Sequence, residues 1–288
     1  MPSDTVHLLL CPVCRQALSF GAGELRTLKC TAGHSFDAAR QGYFNFLVGK
    51  GTAFEADSAD MVAARSDFLS HGHYDGLALA IADTAAPALA ATNAAVLDAG
   101  TGTGHYLRAI LDRFPASAIG LDISKFALRR AARLNPDAIN IVCDVWQPLP
   151  LADGAVDVVT VVFAPRNPAE FARVLRPGGR LIVVTPRPGH LAEVAGTTGM
   201  LGLEPAKEER LAASMDGAFI ELATRELDLD LSLPAVDVVN LALMGPAGHH
   251  LDRSALPDLL ASLPSRTNVS ARFRITAFEP RRPSVPGS

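Results

Sequence analysis

The chain has 288 residues, 49% hydrophobic and 19% charged, with 26 basic against 30 acidic side chains and a formal charge of −4. That much apolar material excludes wholesale disorder and suits about two domains, and the mildly acidic balance excludes a chain that coats nucleic acid over its whole surface, though not a local basic patch. No apolar run reaches ~18 residues without a charge, Pro or Gly, and the opening residues lack the basic start and long apolar stretch of a signal peptide; the expectation is a cytoplasmic protein with no membrane partner.

The first element is a cysteine cluster. Cys11, Cys14, Cys30 and His34 read C-x2-C-x15-C-x3-H. Three thiolates and one imidazole close a tetrahedron around Zn2+, and each short spacing lets two ligands converge from one tight turn. A redox C-x-x-C pair would need a βαβ context, which Cys11 lacks. Residues 1–50 are therefore expected to be a small zinc-binding module, stapled by metal because it is too short to build its own core. Residues 11–50 carry five basic side chains against two acidic ones, with Phe36, Tyr43, Phe44 and Phe46 among them. Such aromatics either stack on RNA bases or form a mini-core around the metal, and composition favours the mini-core for most of the phenylalanines. The remaining cysteine, Cys143, lies in an apolar strand and reads as a plain buried thiol.

Residues 51–93 read as a loop followed by two helices, Ala59–Leu69 and Asp75 to about Ala86, a linker expected to contribute to the next site; the domain boundary falls within 50–60. From Ala94 strands and helices alternate. Strands are expected at Ala94–Asp98, Ala118–Asp122, Ile139–Cys143, Val156–Phe163 and Arg180–Thr185, with helices at Gly104–Phe114, Lys125–Arg133 and Pro168–Leu175. This βαβ rhythm implies an α/β fold, a doubly wound, Rossmann-like parallel sheet with helices on both faces, spanning residues 94–280. Further on, helices are expected at His190–Leu201 and Lys207–Met215. Long strands at Phe219–Leu233 and Asn268–Phe278 are placed as an antiparallel pair on that sheet, and 281–288 as a disordered tail.

The first strand runs into Asp98-Ala99-Gly100-Thr101-Gly102-Thr103-Gly104. Glycines let a backbone turn sharply and approach a ligand. Asp122 ends the second strand, where a carboxylate can accept from ribose hydroxyls. A glycine loop with a downstream acid also serves dinucleotides. A pyrophosphate, however, wants a helix N-terminus free of nearby anions, and Asp98 precedes this loop. S-adenosyl-L-methionine has no phosphate and brings an ammonium and a sulfonium, so Asp98 suits it. Asp144 and Val145 end the third strand, placed to take an adenine amino group and cover its ring. The set Asp98, Gly100, Gly102, Gly104, Asp122, Asp144 and Val145 thus favours a methyl donor over NAD.

The segments CPVCRQAL, KCTAGHSFDAARQGYFNFL, DSADMVAARSDFLSHGHYDGL, VLDAGTGTGHYL, LDISKFALRRAARLNP, DVWQPLPLADGA, VFAPRNPAEFARVLRPGG and VVTPRPGHL cover about residues 11–191. On them the chain resembles the 23S ribosomal RNA (guanine-N1)-methyltransferases, closest to the actinobacterial branch associated with resistance to macrolides of the tylosin and mycinamicin type. The resemblance implies a class I methyltransferase fold, zinc on Cys11, Cys14, Cys30 and His34, and cofactor contacts from Tyr74, Gly102, Thr103 and His190. Thr103 departs from the enterobacterial branch, where Glu is common. It also implies a substrate guanine in a hairpin loop or flipped nucleotide of 23S rRNA, and a homodimer. An alternative is a methyltransferase of a small molecule, its zinc module only structural.

Methyl transfer needs a nucleophile in line with the sulfonium methyl, and guanine N1 must lose its proton. Phe163-Ala164-Pro165-Arg166-Asn167 follows the fourth strand, at the carboxyl edge where the methyl should sit. The expected roles are stacking for Phe163, stabilisation of charge on guanine O6 for Arg166, and orientation of the base edge for Asn167, with helix capping as the other reading of Asn167.

Overall fold

In a computed structural model, residues 5–21, 24–49, 51–198 and 215–281 are described. Residues 207–214 of one expected helix, the last residues of the helix expected at His190–Leu201, and 282–288 of the expected tail lie outside them.

Strands β1 (Leu18–Gly21), β2 (Glu24–Cys30) and β3 (Ser35–Asp37) form a three-stranded antiparallel sheet, the ribbon that carries the cysteines. The next strand, β4 (Tyr43–Asn45), leaves that ribbon. It pairs parallel with β7 (Ile139–Val142) and becomes one edge of an eight-stranded sheet. So the sheet itself crosses into residues 1–50, short of the boundary expected at 50–60.

Two helices follow, α1 (Ala59–Ser70) and α2 (Asp75–Ala85). Ser58 starts α1 by accepting from Met61 N–H, an N-cap that satisfies one of the unpaired first-turn donors. The βαβ run is then β5 (Ala95–Ala99), α3 (His105–Leu111), β6 (Ser117–Asp122), α4 (Lys125–Leu134), β7, β8 (Val156–Val162), α5 (Pro168–Val174) and β9 (Leu175–Pro186). α6 (Ala192–Thr198) leads on, and β10 (Phe219–Pro234), α7 (Ala235–Met244), α8 (Leu256–Ser262) and β11 (Arg266–Pro280) complete the chain. Sheet order is β10-β11-β9-β8-β5-β6-β7-β4; β11 pairs antiparallel with both β10 and β9, and the other pairings are parallel. The order reverses beside β5, which opens a crevice at the carboxyl ends of β5 and β8, where ligands bind in such sheets.

Alternation along the strands divides the core. Val96, Ala118, Val158 and Ile182 face α2 and α3, while Leu97, Ile119, Val159 and Leu181 face the other way. That second layer is continuous with Leu9, Leu18, Leu28, Phe44 and Phe46. The ribbon therefore shares the core of the large sheet. Its phenylalanines serve this packing, with the Phe36 and Phe46 rings 4.8 Å apart. Arg15 adds a polar tie, donating to the Leu149 and Leu151 carbonyls at 2.6 and 3.3 Å. Cys143 is buried, as expected. Arg281 donates its N–H to Ala218 at 2.8 Å, so the start of the expected tail is held to the body.

Candidate functional site: a methyl-donor crevice and a metal centre

The metal centre forms from two matching turns. Arg15 (φ 61°) and Gly33 (φ 88°) take the left-handed conformation beside Cys14 and His34, folding each ligand pair back on itself. Val13 N–H points at Cys11 Sγ, 3.4 Å away. Cys14 and Cys30 sulfurs lie 3.6 Å apart, and His34 Nδ1 lies 3.4 Å from Cys30 and 3.7 Å from Cys11. Tetrahedral ligands at zinc bond lengths of ~2.0–2.3 Å are separated by roughly 3.5–3.8 Å. The donor set and its spacing fit zinc.

A second group, His71, His73 and Asp237, has metal-binding composition but different spacing. His73 Nε2 lies 2.7 Å from the carboxylate and His71 Nδ1 2.9–3.0 Å from both oxygens, with Asn240 Nδ2 donating at 3.3 Å. These are hydrogen-bond lengths. Burial alone would push the Asp237 carboxyl up; the bonds from His73, His71 and Asn240 outweigh it and hold it below the usual range. The group fastens the turn between α1 and α2 to α7, the turn that delivers Tyr74.

At the crevice the glycine loop is tied from below. Gly100 and Thr101 both donate to the Leu121 carbonyl at 2.8 Å. Gly100 has φ 82°, and a Cβ there would lie 2.3 Å from that of Ala164, so a side chain is excluded by both conformation and space. Asp122 accepts from Gly102 N–H and Ser124 N–H, each at 2.8 Å, and so shapes the loop. Asp98 is 1% exposed. One of its oxygens accepts from Thr160 at 2.6 Å; the other has no hydrogen-bond partner. Burial raises this carboxyl to about 6, opposed by hydroxyl hydrogen bonds. A buried carboxylate with a vacant oxygen suits an incoming cation, which is the fit that S-adenosylmethionine requires.

Asp144 accepts from Trp146 N–H at 3.0 Å and from the Thr52 hydroxyl at 2.9 Å. The segment bearing Thr52 continues over the crevice. Arg65 pairs with Asp57 and donates to the Met244 carbonyl at 2.6 Å, and its stem lies 3.7 Å from where a Gly102 Cβ would be. Val145 is half-buried, and its carbonyl accepts from Asn167 Nδ2 at 2.9 Å. The Asn167 Oδ1 accepts from Glu170 N–H and caps α5. Both ends of Asn167 thus have partners within the fold, and one of them is the N–H that its reading as a helix cap names. Thr103 is buried beside Gly104.

Tyr74, Phe163 and His190, far apart in sequence, meet on one ring. Phe273 of β11 lies 5.1 Å from Tyr74, 5.7 Å from Phe163 and 5.0 Å from His190, centroid to centroid. His190 Nδ1 accepts from Arg272 N–H at 3.0 Å, and burial lowers the imidazole to about 4, so it is neutral near pH 7. Phe163 has φ 55°, a costly conformation for a non-glycine residue and one that clusters at functional sites. Arg166 is half-buried; burial lowers its pKa, its Nε is unpartnered, and among the described residues no acceptor holds its guanidinium. Sequence reasoning passed over Phe273, Arg65 and Tyr106. Burial raises the Tyr106 phenol, and the charges of Asp98 and Arg65 act on it. The GHY run holding Tyr106 was the one signal available.

Comparison with known proteins adds sequence kinship to this geometry. A family profile described as "Methyltransferase domain" matches residues 96–179, and one described as "RlmA, N-terminal", a zinc ribbon, matches residues 9–48. A 23S rRNA (guanine(748)-N(1))-methyltransferase of Streptomyces fradiae is 43% identical over 282 residues, covering 97% of this chain and 99% of that one. A protein of Micromonospora griseorubida described as a 23S rRNA (guanine-N(1)-)-methyltransferase is 44% identical over 295 residues, covering 97% of this chain and all of its own length.

Proposed function

The chain belongs to the 23S rRNA (guanine-N1)-methyltransferase family, and from that premise we propose that it methylates N1 of a guanine presented in a hairpin loop of 23S rRNA. The observation that carries the reading is Asp98, a buried carboxylate that starts the glycine loop, with one oxygen satisfied by Thr160 and the other without a hydrogen-bond partner. S-adenosylmethionine, when bound, supplies an electrophilic methyl on a sulfonium.

The chain's own residues do the rest. Asp98 holds the donor's ammonium, with Gly100, Gly102, Thr103 and Gly104 giving the backbone cradle. Asp122 takes the ribose with its remaining lone pairs, while Asp144 and Val145 take the adenine. Tyr74 and His190 close the methionine end, both set by Phe273. Phe163 covers the target base. Arg166 stands three residues on with its guanidinium free, so it pairs with guanine O6 as negative charge builds there. A cation at O6 makes the N1 proton more acidic and eases its transfer to solvent water, leaving N1 with the lone pair it needs. The zinc ribbon grips the RNA stem, and a second copy of the chain completes the RNA cleft.

Incubation with protein-free 23S rRNA and the methyl donor is expected to yield N1-methylguanosine at one position, located by nuclease digestion and mass mapping. The Arg166→Ala enzyme should lose roughly 100-fold in turnover with cofactor affinity unchanged. No N1-methylguanosine from the wild type would overturn the reading; full turnover by the variant would overturn the role of Arg166.

A further inference from the structure

Aromatic side chains in this fold are buried or half-buried with three exceptions among the described residues: Phe54 at 54% exposed, Trp146 at 48% and Phe163 at 45%. All three lie along the carboxyl edge of the large sheet. Phe163 follows β8 and Trp146 follows β7, both at the carboxyl edge of the sheet. Phe54 reaches the same edge from the segment before α1, its ring 6.3 Å from that of Trp146 and inclined by 32°.

One carboxylate sets both members of that pair. Asp144 accepts from Trp146 N–H with one oxygen and from the Thr52 hydroxyl with the other. The same Thr52 oxygen accepts from Phe54 N–H at 3.1 Å. The two rings are therefore held in place by a polar chain running Phe54, Thr52, Asp144, Trp146. Exposed rings cost solvation, and fixing them adds to that cost unless a planar partner covers them. The Arg166 guanidinium, without an acceptor among the described residues, gives the same mouth a free positive charge.

We propose that Phe54 and Trp146 form a second nucleobase-stacking site, holding an RNA base that neighbours the guanine covered by Phe163. This rests on the RNA-methylating reading above and adds how the loop is splayed. Single-stranded RNA is gripped by aromatic faces on which successive bases stack, whatever their identity. Two separated aromatic stations along one sheet edge fit two unstacked nucleotides. The competing occupant is the adenine of the cofactor, because Asp144 is shared.

Trp146 is the one tryptophan of the chain, so its fluorescence reports this site alone. The experiment titrates the intact protein with S-adenosylhomocysteine and then, at saturation, with a 23S rRNA fragment carrying the methylated hairpin. Quenching is expected on addition of RNA and not on addition of the cofactor product. Trp146→Leu and Phe54→Leu should each raise the KM for RNA about tenfold to hundredfold, with the cofactor Kd within about twofold, and Trp146→Phe should restore most of the loss because a ring remains. Quenching by the cofactor product alone, weaker cofactor binding in Trp146→Leu with the RNA KM unchanged, or a Leu variant as good as the Phe variant would each overturn the proposal. The titration needs no turnover, so a chain that is quenched by RNA yet forms no N1-methylguanosine would fail the preceding reading and not this one.

Discussion

The Cys11–Cys14–Cys30–His34 centre and the His71–His73–Asp237 group are the two clusters of metal-binding composition among the described residues. Composition does not tell them apart; spacing does. Donor atoms stand 3.4–3.7 Å apart in the first, leaving room for an ion between them. In the second they stand at 2.7–3.0 Å, where the shared cation is a proton. The first joins two turns of a small ribbon and is built for metal. The second joins a turn to a helix across 166 residues of chain and is built from hydrogen bonds.

The largest effect should come from the metal. Cys30→Ser, or a strong chelator, is expected to take bound zinc from one per chain to near none and to abolish rRNA methylation, since a site of this kind supplies folding energy outright. Metal analysis alongside the methylation assay checks this, and retained activity in a zinc-free protein would break the comparison.

Asp237→Ala should behave differently. Zinc content should stay at one per chain, while stability falls by about 1–3 kcal/mol as two imidazoles lose their acceptor. Because the native carboxyl lies below its ordinary range, its contribution is present above about pH 4 and is lost as the solution is acidified further. Denaturant melts of both proteins across that range read the difference; two zincs per wild-type chain would show the spacing argument to be unsound.

Asp98 sharpens the contrast, since the cation proposed for it arrives from solution. Its carboxyl sits near 6 because burial disfavours charge. Its protonated form is thus favoured by the fold, and that contribution fades as pH rises through 6. Binding of the cationic donor runs the other way: strong above about pH 6, then weaker by up to about tenfold per pH unit below it. Calorimetry between pH 5 and 7 should show this slope in the wild type and a flat response in Asp98→Asn.

Much of this was legible in the chain because it is written locally. The C-x2-C and C-x3-H pairs need only a turn each, the glycine loop is contiguous, and alternation of apolar strands with amphipathic helices marks the parallel sheet. The long C-terminal strands Phe219–Pro234 and Arg266–Pro280 also appeared as expected, an antiparallel pair beside β9. What stayed hidden depends on contacts across the chain. Phe273 looks like any strand phenylalanine until Tyr74, Phe163 and His190 converge on it. Asn167 carries the polarity of a substrate ligand and the sequence position of a helix cap, and only the folded chain shows that the cap bond is made. Exposure of Phe54 and Trp146 is likewise invisible in a list of residues, since an aromatic side chain is buried by default.

The strand Tyr43–Asn45 leaves the ribbon and enters the catalytic sheet, with Arg15 bonded to the loop at Leu149–Leu151. Metal clamp and methyl crevice are consequently mounted on one rigid frame, like the jaws of a calliper with a locked screw. A helical stem seated on the ribbon, as proposed above, would offer to the crevice only those nucleotides that lie a set distance along it. Lengthening that stem by one base pair is then expected to carry the target past the jaw and lower its methylation, which mass mapping of the altered hairpin would read.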